Sequence, residues 1–228
     1  MFAMNDVITP PRRTSELVVD RMRDLIRSGE WAVGERIPPE PALVALFGVG
    51  RNTIREAVRA LEHAGMLVPR RGDGTYVRSR NLLAAAIESC VPGSAHHDLL
   101  GARRAIEVEA AAAAAQSASA EEVAGLRVRL RAAERAFATG DVAGYTQEDI
   151  AFHAMLVEIS GNRLLLELYD GIVEVMQRLH ESVVEATVAT GDHPSGHVGV
   201  VDAIEAGDAA AARAAVHSYL DAALRGLA

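Results

Sequence analysis

The stretch Gly48–Leu67, GVGRNTIREAVRALEHAGML, decides how the first third of this chain is read. At about 100° per residue, Ile54, Ala57, Val58 and Leu61 fall on one apolar stripe, which requires a core to face. Arg51, Arg55 and Arg59 fall on a second stripe on the other side, with Asn52 between the first two. One helix therefore asks for a hydrophobic neighbour and, across its axis, for water or an anion.

The whole chain bounds the choice. At 228 residues it is long enough for two modest domains, and half of its residues are apolar, as in globular proteins. No apolar run approaches the roughly 18 residues of a membrane span. The N-terminal residues, with Asn5, Asp6, Pro10 and Pro11, lack the apolar centre of a signal peptide. The single cysteine, Cys90, excludes an intrachain disulfide and fits a cytoplasmic protein; it is expected as a buried small apolar residue. Charge is unevenly spread. Residues 1–80 hold 13 Arg and 10 acidic residues (net +3), whereas residues 81–228 hold 10 Arg and 21 acidic residues (net −11). Such a chain is suited to binding a polyanion at one end only.

Working outward, Thr14 or Ser15 is placed to cap a helix running to about Arg27, with Leu17, Val18, Met22, Leu25 and Ile26 on its buried face. A short extended piece at Arg36–Ile37 follows, then a Pro-Pro turn and a helix from about Glu40 to Phe47. After Gly65, MLVPRRGDGTYV offers two short strands around a glycine-rich turn at 71–74. Helix, helix, turn, helix and β-wing make a winged helix-turn-helix. In that order the apolar stripe packs on the other helices and the arginine stripe lies in the DNA major groove, where Arg51 and Arg55 are placed to read guanine edges. Asn52 and Thr53 are placed for phosphate or bases, and Arg70 and Arg71 for a wing lying against DNA. Arg59 has either DNA or Glu62, three residues on, as its partner. The competing reading is a merely solvated arginine face.

The segment IPPEPALVALFGVGRNTIREAVRALEHAGMLVPRRGDGTYV resembles the DNA-binding domain of the GntR family of bacterial transcription regulators, over nearly all of residues 14–78. The family pattern runs Leu-Pro-Ser-Glu, a short helix, Val-Ser-Arg, Arg-Glu-Ala, and a wing closing in Gly-Thr-x-Val. The resemblance implies DNA contact for Arg51, Asn52, Thr53, Arg55, Arg71 and Gly72. Three positions depart from the pattern: Pro39 for Ser, Gly50 for Ser or Thr, and Pro41 where many relatives carry a DNA-contacting Arg.

The remainder reads as entirely helical, an antiparallel bundle of the kind that hosts metals or ligands in its interior. Helices are expected over Ala102–Ala118, from Ser119 to about Thr139, from Asp141 to Ser160, from about Arg163 to Ala189, from His197 to Ala206, and from Asp208 onward. The expected division is a DNA-binding domain over 1–78, a linker with a short helix over 79–94, and a helical domain over 95–228. Chemistry concentrates in QEDIAFHAML, where Asp149 and His153 are four residues apart and share a helix face. That spacing suits either a shared metal ion or a surface hydrogen bond.

This half resembles the FadR-type (FCD) effector domain of the same family. The marks are Arg103 and Glu107 before an Ala-rich run, Asp149 and His153 with Phe152, the turn Gly161-Asn162, and HVGVVDAIEAGDAAAAR. The resemblance implies a divalent ion, zinc or else nickel or iron, on Asp149, His153 and His197. It also implies a small carboxylate effector near Arg103, Tyr219 and Asn162. Relatives supply a third histidine where this chain has Tyr219. Three outcomes stay open: a three-ligand site, recruitment of His217, or a metal-free site in which Tyr219 hydrogen-bonds a ligand or His197. Acyl-CoA sensing goes with the metal-free case. For Arg103 the competing partner is Glu107, four residues on. His63, His96, His97, His180 and His193 are expected at the surface or the core edge.

The expectation is a cytoplasmic, homodimeric, ligand-responsive transcription regulator, a repressor acting on a short inverted repeat, with no membrane partner and no enzymatic activity. The alternatives are a metal-dependent hydrolase or oxygenase fused to a DNA-binding domain, and a ligand-free architectural protein.

Overall fold

The computed structural model describes residues 12–90, 96–179 and 196–225. By its internal contacts the chain divides into two compact units, one ending at Leu82 and the other beginning at Leu83.

The first unit holds helices α1 (Thr14–Arg27), α2 (Glu40–Phe47) and α3 (Arg51–His63), then strands β1 (Leu67–Arg70) and β2 (Gly74–Val77). Its core collects Val18, Met22, Leu25 and Ile26 from α1, Leu43 from α2, and Ile54, Ala57 and Leu61 from α3. The apolar stripe of α3 is thus the face against α1 and α2. Pro at the second position of α2 is harmless, because the first-turn N–H it lacks has no intrahelical partner. Gly48 ends α2 in the left-handed region (φ 65°), where glycine is free of the Cβ penalty, and turns the chain into α3. Gly50 caps α3 without a side chain, so no hydroxyl is available at that terminus. The wing is an antiparallel ladder from Leu67↔Val77 to Arg70↔Gly74, and Arg36 adds an isolated bridge to Tyr76.

Two expectations fail here. Helix α1 is entered from Arg13 with no side-chain cap, Thr14 being already helical. Leu17 is 51 % exposed rather than buried. Val18, Met22, Leu25 and Ile26 already fill the inner face of α1, and Leu17 lies about 100° round from Val18.

The second unit is helical throughout its described residues: α4 (Leu82–Cys90), α5 (His96–Ser117), α6 (Ala120–Thr139), α7 (Val142–Ile159), α8 (Arg163–Leu179), α9 (Gly196–Glu205) and α10 (Ala209–Arg225). Helix α5 is its centre, packed by α7, α8, α9 and α10. The alanine run explains this. Ala110, Ala111, Ala112, Ala114 and Ala115 are all buried, on more than one side of the helix, and their small side chains let several neighbours approach at once. Caps fix where the surrounding helices begin. Ser119 and Glu122 form a reciprocal capping box on α6, Asp141 accepts from the Gly144 N–H at the start of α7, and Asp208 accepts from Ala210 and Ala211 at α10. The expected extension of α8 to Ala189 lies beyond Leu179, outside the described residues, as do His180 and His193. Cys90 is exposed, not buried, at the end of α4.

Candidate nucleic-acid interface and candidate metal centre

In the first unit, the polar side of α3 carries Arg51, Asn52, Arg55 and Arg59 outward, all exposed, with Thr53 half-buried beside them. Their orientation follows from burial of Ile54, Ala57 and Leu61 on the other side. The Arg55 guanidinium lies 4.0 Å from Glu40, an exposed pair that water screens and that costs little to exchange. Glu62 accepts from the Thr75 hydroxyl at 3.4 Å, which ties α3 to the wing. In the wing, Arg70 lies over the Tyr76 ring at 4.0 Å from its centre, and the Tyr76 hydroxyl donates to Asp73 at 2.6 Å. Arg70 is therefore engaged within the wing, while Arg71 and Gly72 (φ 76°) stand exposed at its tip. An open groove between α2, α3 and the wing is lined by Arg36, Arg55 and Arg59 together with Glu40 and Glu62. The sequence places Arg36 only in a short extended piece and gives it no part in this interface. It lies across Gly74, where any Cβ would meet the guanidinium, and within 3.8 Å of Asp73.

In the second unit, α7 presents Asp149 and His153 on one face, and α9 delivers His197 at its second residue. The histidine Nε2 atoms are 2.9 Å apart, and each lies 3.6 Å from Asp149 Oδ1. These three are the group among the described residues whose donor atoms converge in the way a cation needs. The spacing fits one. A tetrahedral ion with bonds of about 2.0–2.1 Å holds its donors roughly 3.3 Å apart, and the three separations straddle that value. Two imidazole nitrogens and one carboxylate oxygen also suit a borderline transition ion. Such an ion would act as a Lewis acid, polarising a bound oxygen.

Both histidines are almost fully buried, and the Phe152 ring meets each edge-on at 5.2 and 5.1 Å between centres. Behind them, Glu107 on α5 is fully buried. Its Oε1 accepts from Arg103 Nε at 2.5 Å, and its Oε2 faces His153 Nδ1 at 3.0 Å and accepts the Tyr219 hydroxyl of α10. The Tyr219 hydroxyl is also 3.4 Å from His153 Nδ1, and its ring lies 4.9 Å from that of His197. A small cavity with room for about one water borders Asp149, His197, Phe152, Tyr145 and Glu134.

Electrostatics couple these groups. Burial opposes ionisation of Glu107, but Arg103 and then His153 outweigh it and hold the carboxyl below its usual range. Asp149 is likewise held low, burial being overcome by His153, His197 and Arg103. Burial works against a charged His153, yet Glu107 and Asp149 raise its pKa above the ordinary value. The phenols of Tyr145 and Tyr169 are pushed up, chiefly by burial, and stay neutral.

Asp149, His153, His197, Tyr219 and Arg103 are thus close neighbours. Asn162 stands apart from them. It is exposed, and its Oδ1 accepts from the Leu164 and Leu165 N–H groups, capping α8. His217 is exposed on α10, two residues from the buried Tyr219, so its recruitment to the cluster is not what the fold provides. The sequence offers Glu107 as a mark of the family resemblance and as a competing partner for Arg103, with no part in the metal centre. Its spacing of four from Arg103 was visible, but its contacts with His153 and Tyr219 cross from α5 to two other helices.

Residues 14–77 match the family described as bacterial regulatory proteins, gntR family, and residues 98–222 match the FCD domain. The chain is 31% identical over 226 residues to the putative L-lactate dehydrogenase operon regulatory protein of Escherichia coli K12, an alignment covering 94% of this chain and 86% of that one. It is 28% identical over 221 residues to the HTH-type transcriptional repressor NanR of Cronobacter sakazakii, covering 92% and 84%. Among solved structures, Streptococcus agalactiae GntR aligns over 93% of this chain and 99% of that one, with a TM-score of 0.57 and 27% identity. Escherichia coli McbR/YncC shares the fold at a TM-score of 0.55 and 17% identity, over 95% and 99%. An arginine-faced helix with a wing, followed by a helical unit matched along most of its length, leaves no room for the fused-enzyme alternative: this chain belongs to the GntR family of bacterial regulatory proteins, in the branch carrying an FCD domain, and is a DNA-binding transcription regulator, not an enzyme.

Proposed function

We propose that this regulator is a homodimeric repressor whose DNA affinity is set by a small carboxylate bound beside a divalent ion. The DNA-binding domain extends over 1–78, joined through 79–94 to the effector domain over 95–228. Arg51 and Arg55 read base edges of a short inverted-repeat operator in the cytoplasm, with Asn52, Thr53 and the wing residues Arg71 and Gly72 supporting them. A two-fold protein matches a two-fold operator, so the dimer follows from the target. In the effector domain, Asp149, His153 and His197 hold the ion, with zinc first and nickel or iron next, and the effector completes its coordination near Arg103 and Tyr219. Effector binding shifts the spacing of the two recognition helices by favouring one of two arrangements.

The observation that carries this reading is the convergence of Asp149, His153 and His197 in the helical unit. The repressor assignment is supported by the NanR relative's description as a transcriptional repressor. The first relative's description as a regulator of an L-lactate dehydrogenase operon makes small 2-hydroxy acids the class to try first. A metal-free reading has one observation in its favour. The His153 and His197 Nε2 atoms are within hydrogen-bond distance, so the pair is satisfied once one ring is the donor.

Metal analysis of protein purified without chelator separates the two. One zinc, nickel or iron per chain, lost on His153→Ala combined with His197→Ala, is the expected result. Full metal content in that double variant, or none in the wild type after reloading, would sink the metal reading. Effector choice is then read from operator release by a panel of small carboxylates, with and without the ion.

A further inference from the structure

Glu107 holds no place in the candidate ligand set, yet its contacts fix a member of that set. Its Oε2 lies 3.0 Å from His153 Nδ1, on the ring nitrogen that does not face Asp149 and His197. The same oxygen accepts the Tyr219 hydroxyl, and the other oxygen accepts from Arg103 Nε. The carboxylate is thus held from two sides by donors on its own helix and on α10, and is fully buried.

We propose that Glu107 is the positioning residue of this centre: it keeps the proton of His153 on Nδ1, so that Nε2 presents its lone pair to the ion. A neutral imidazole has one donor and one acceptor nitrogen, and a carboxylate at 3.0 Å from Nδ1 selects the tautomer with Nδ1–H. A negative oxygen on that hydrogen also makes the opposite nitrogen a better ligand. Tyr219 then has a different part from the one its register suggests. Its hydroxyl is spent on Glu107 at the Nδ1 edge of His153, so it braces the carboxylate and leaves the ion with three protein ligands. This rests on the metal reading of the site.

The test uses the full-length protein with Zn(II), or Co(II) as a spectroscopic probe, and no effector. Affinity is measured by competition with a chromophoric chelator, and the His153 tautomer by 15N NMR of the zinc form. Glu107→Gln is expected to weaken Zn(II) binding about 10–100-fold and to alter the Co(II) visible bands. Because Glu107→Gln strands the Arg103 charge and the variant risks not folding, Arg103→Met with Glu107→Gln removes both charges and is expected to give the same loss in a folded protein. Tyr219→Phe removes only one brace and is expected to cost no more than about threefold.

Wild-type affinity in the folded double variant would overturn the positioning role, since a merely structural Glu107 would change the melting point and leave the folded site's affinity alone. A zinc form with His153 protonated on Nε2 would overturn it too. Loss of binding in Tyr219→Phe as complete as in His153→Ala would make the phenol a ligand and overturn the bracing role. No stoichiometric Zn(II) or Co(II) in the wild type would instead strike the metal reading on which all of this rests.

Discussion

Two helices of this protein carry arginines and use them in opposite ways. On α3, Arg51, Arg55 and Arg59 stand exposed, and Arg55 has a loose 4.0 Å partner in Glu40. On α5, Arg103 is 15 % exposed and held at 2.5 Å by a Glu107 that is fully buried. An exposed guanidinium keeps its hydration and exchanges it, with released counterions, for phosphates or a guanine edge. A buried one has already given up that water, and stays charged only because an anion is folded in beside it. On the proposed function, helix α3 therefore meets an external polyanion. Helix α5 has its anion internally, and the useful output of that pair is the orientation of His153.

The largest test of the contrast is stability. Arg103→Met leaves Glu107 buried without its main counter-charge and is expected to cost about 3–5 kcal/mol, measured by urea unfolding of the metal-free protein. Arg103→Met with Glu107→Gln should recover much of that loss. An unchanged unfolding midpoint in the single variant would mean that the two arginine environments differ less than their burial says.

Next in size is DNA. Arg51→Ala and Arg55→Ala are each expected to remove about 1–3 kcal/mol of discrimination for the operator over mutated sites, while the unfolding midpoint stays put. Titrations at several salt concentrations should also give a shallower salt slope for each arginine that meets a phosphate. Wild-type footprints from both variants would show that this arginine face is only solvated.

A helix cap provides a smaller reference within the same helical unit. Ser119→Ala removes the side-chain half of the capping box of α6, leaving the backbone N–H of residue 119 on Glu122, and is expected to cost about 1 kcal/mol, seen as a lower melting point. The Ser119 backbone N–H first, and its hydroxyl second, hold the Glu122 pKa below its ordinary value, and only the hydroxyl's share is lost in the variant. The stabilisation from this cap is therefore complete above the unfolded carboxylate range and fades as pH falls through the lowered folded pKa. Ser119→Ala should consequently have less effect in strong acid than at neutral pH.

Smallest is Arg127 on α6, which reaches Asp202 at 2.9 Å and also pairs with Glu205. These are surface ion pairs, screened by water and salt. Arg127→Ala is expected to leave the melting point within error, and a shift as large as that of Arg103→Met would erase the distinction between the two kinds of arginine.

Much of this is legible in the sequence, and the reasons are local. The apolar stripe of α3 and its turn glycines announce the winged helix, because periodicity and backbone freedom act within a few residues. The Asp149–His153 spacing places two groups on one face of α7 before any fold is known. Leu17 is misassigned from the sequence because a single helix with six apolar residues does not reveal which of them its neighbours cover. Cys90 is expected inside on the strength of residue type alone, and it is exposed. Asn162 goes to the effector by resemblance, whereas its side chain caps α8.

Sequence alone determined the order of elements, the arginine face, and the pairing of residues one helical turn apart, since each depends on chain geometry that neighbours share. Tertiary structure alone decided that Glu107 meets both His153 and Tyr219, that His197 closes on Asp149, and that the alanine run is the centre of the helical unit. Those contacts join positions up to 112 residues apart, and they exist only because α7, α9 and α10 pack around α5 at angles and registers that no local pattern encodes.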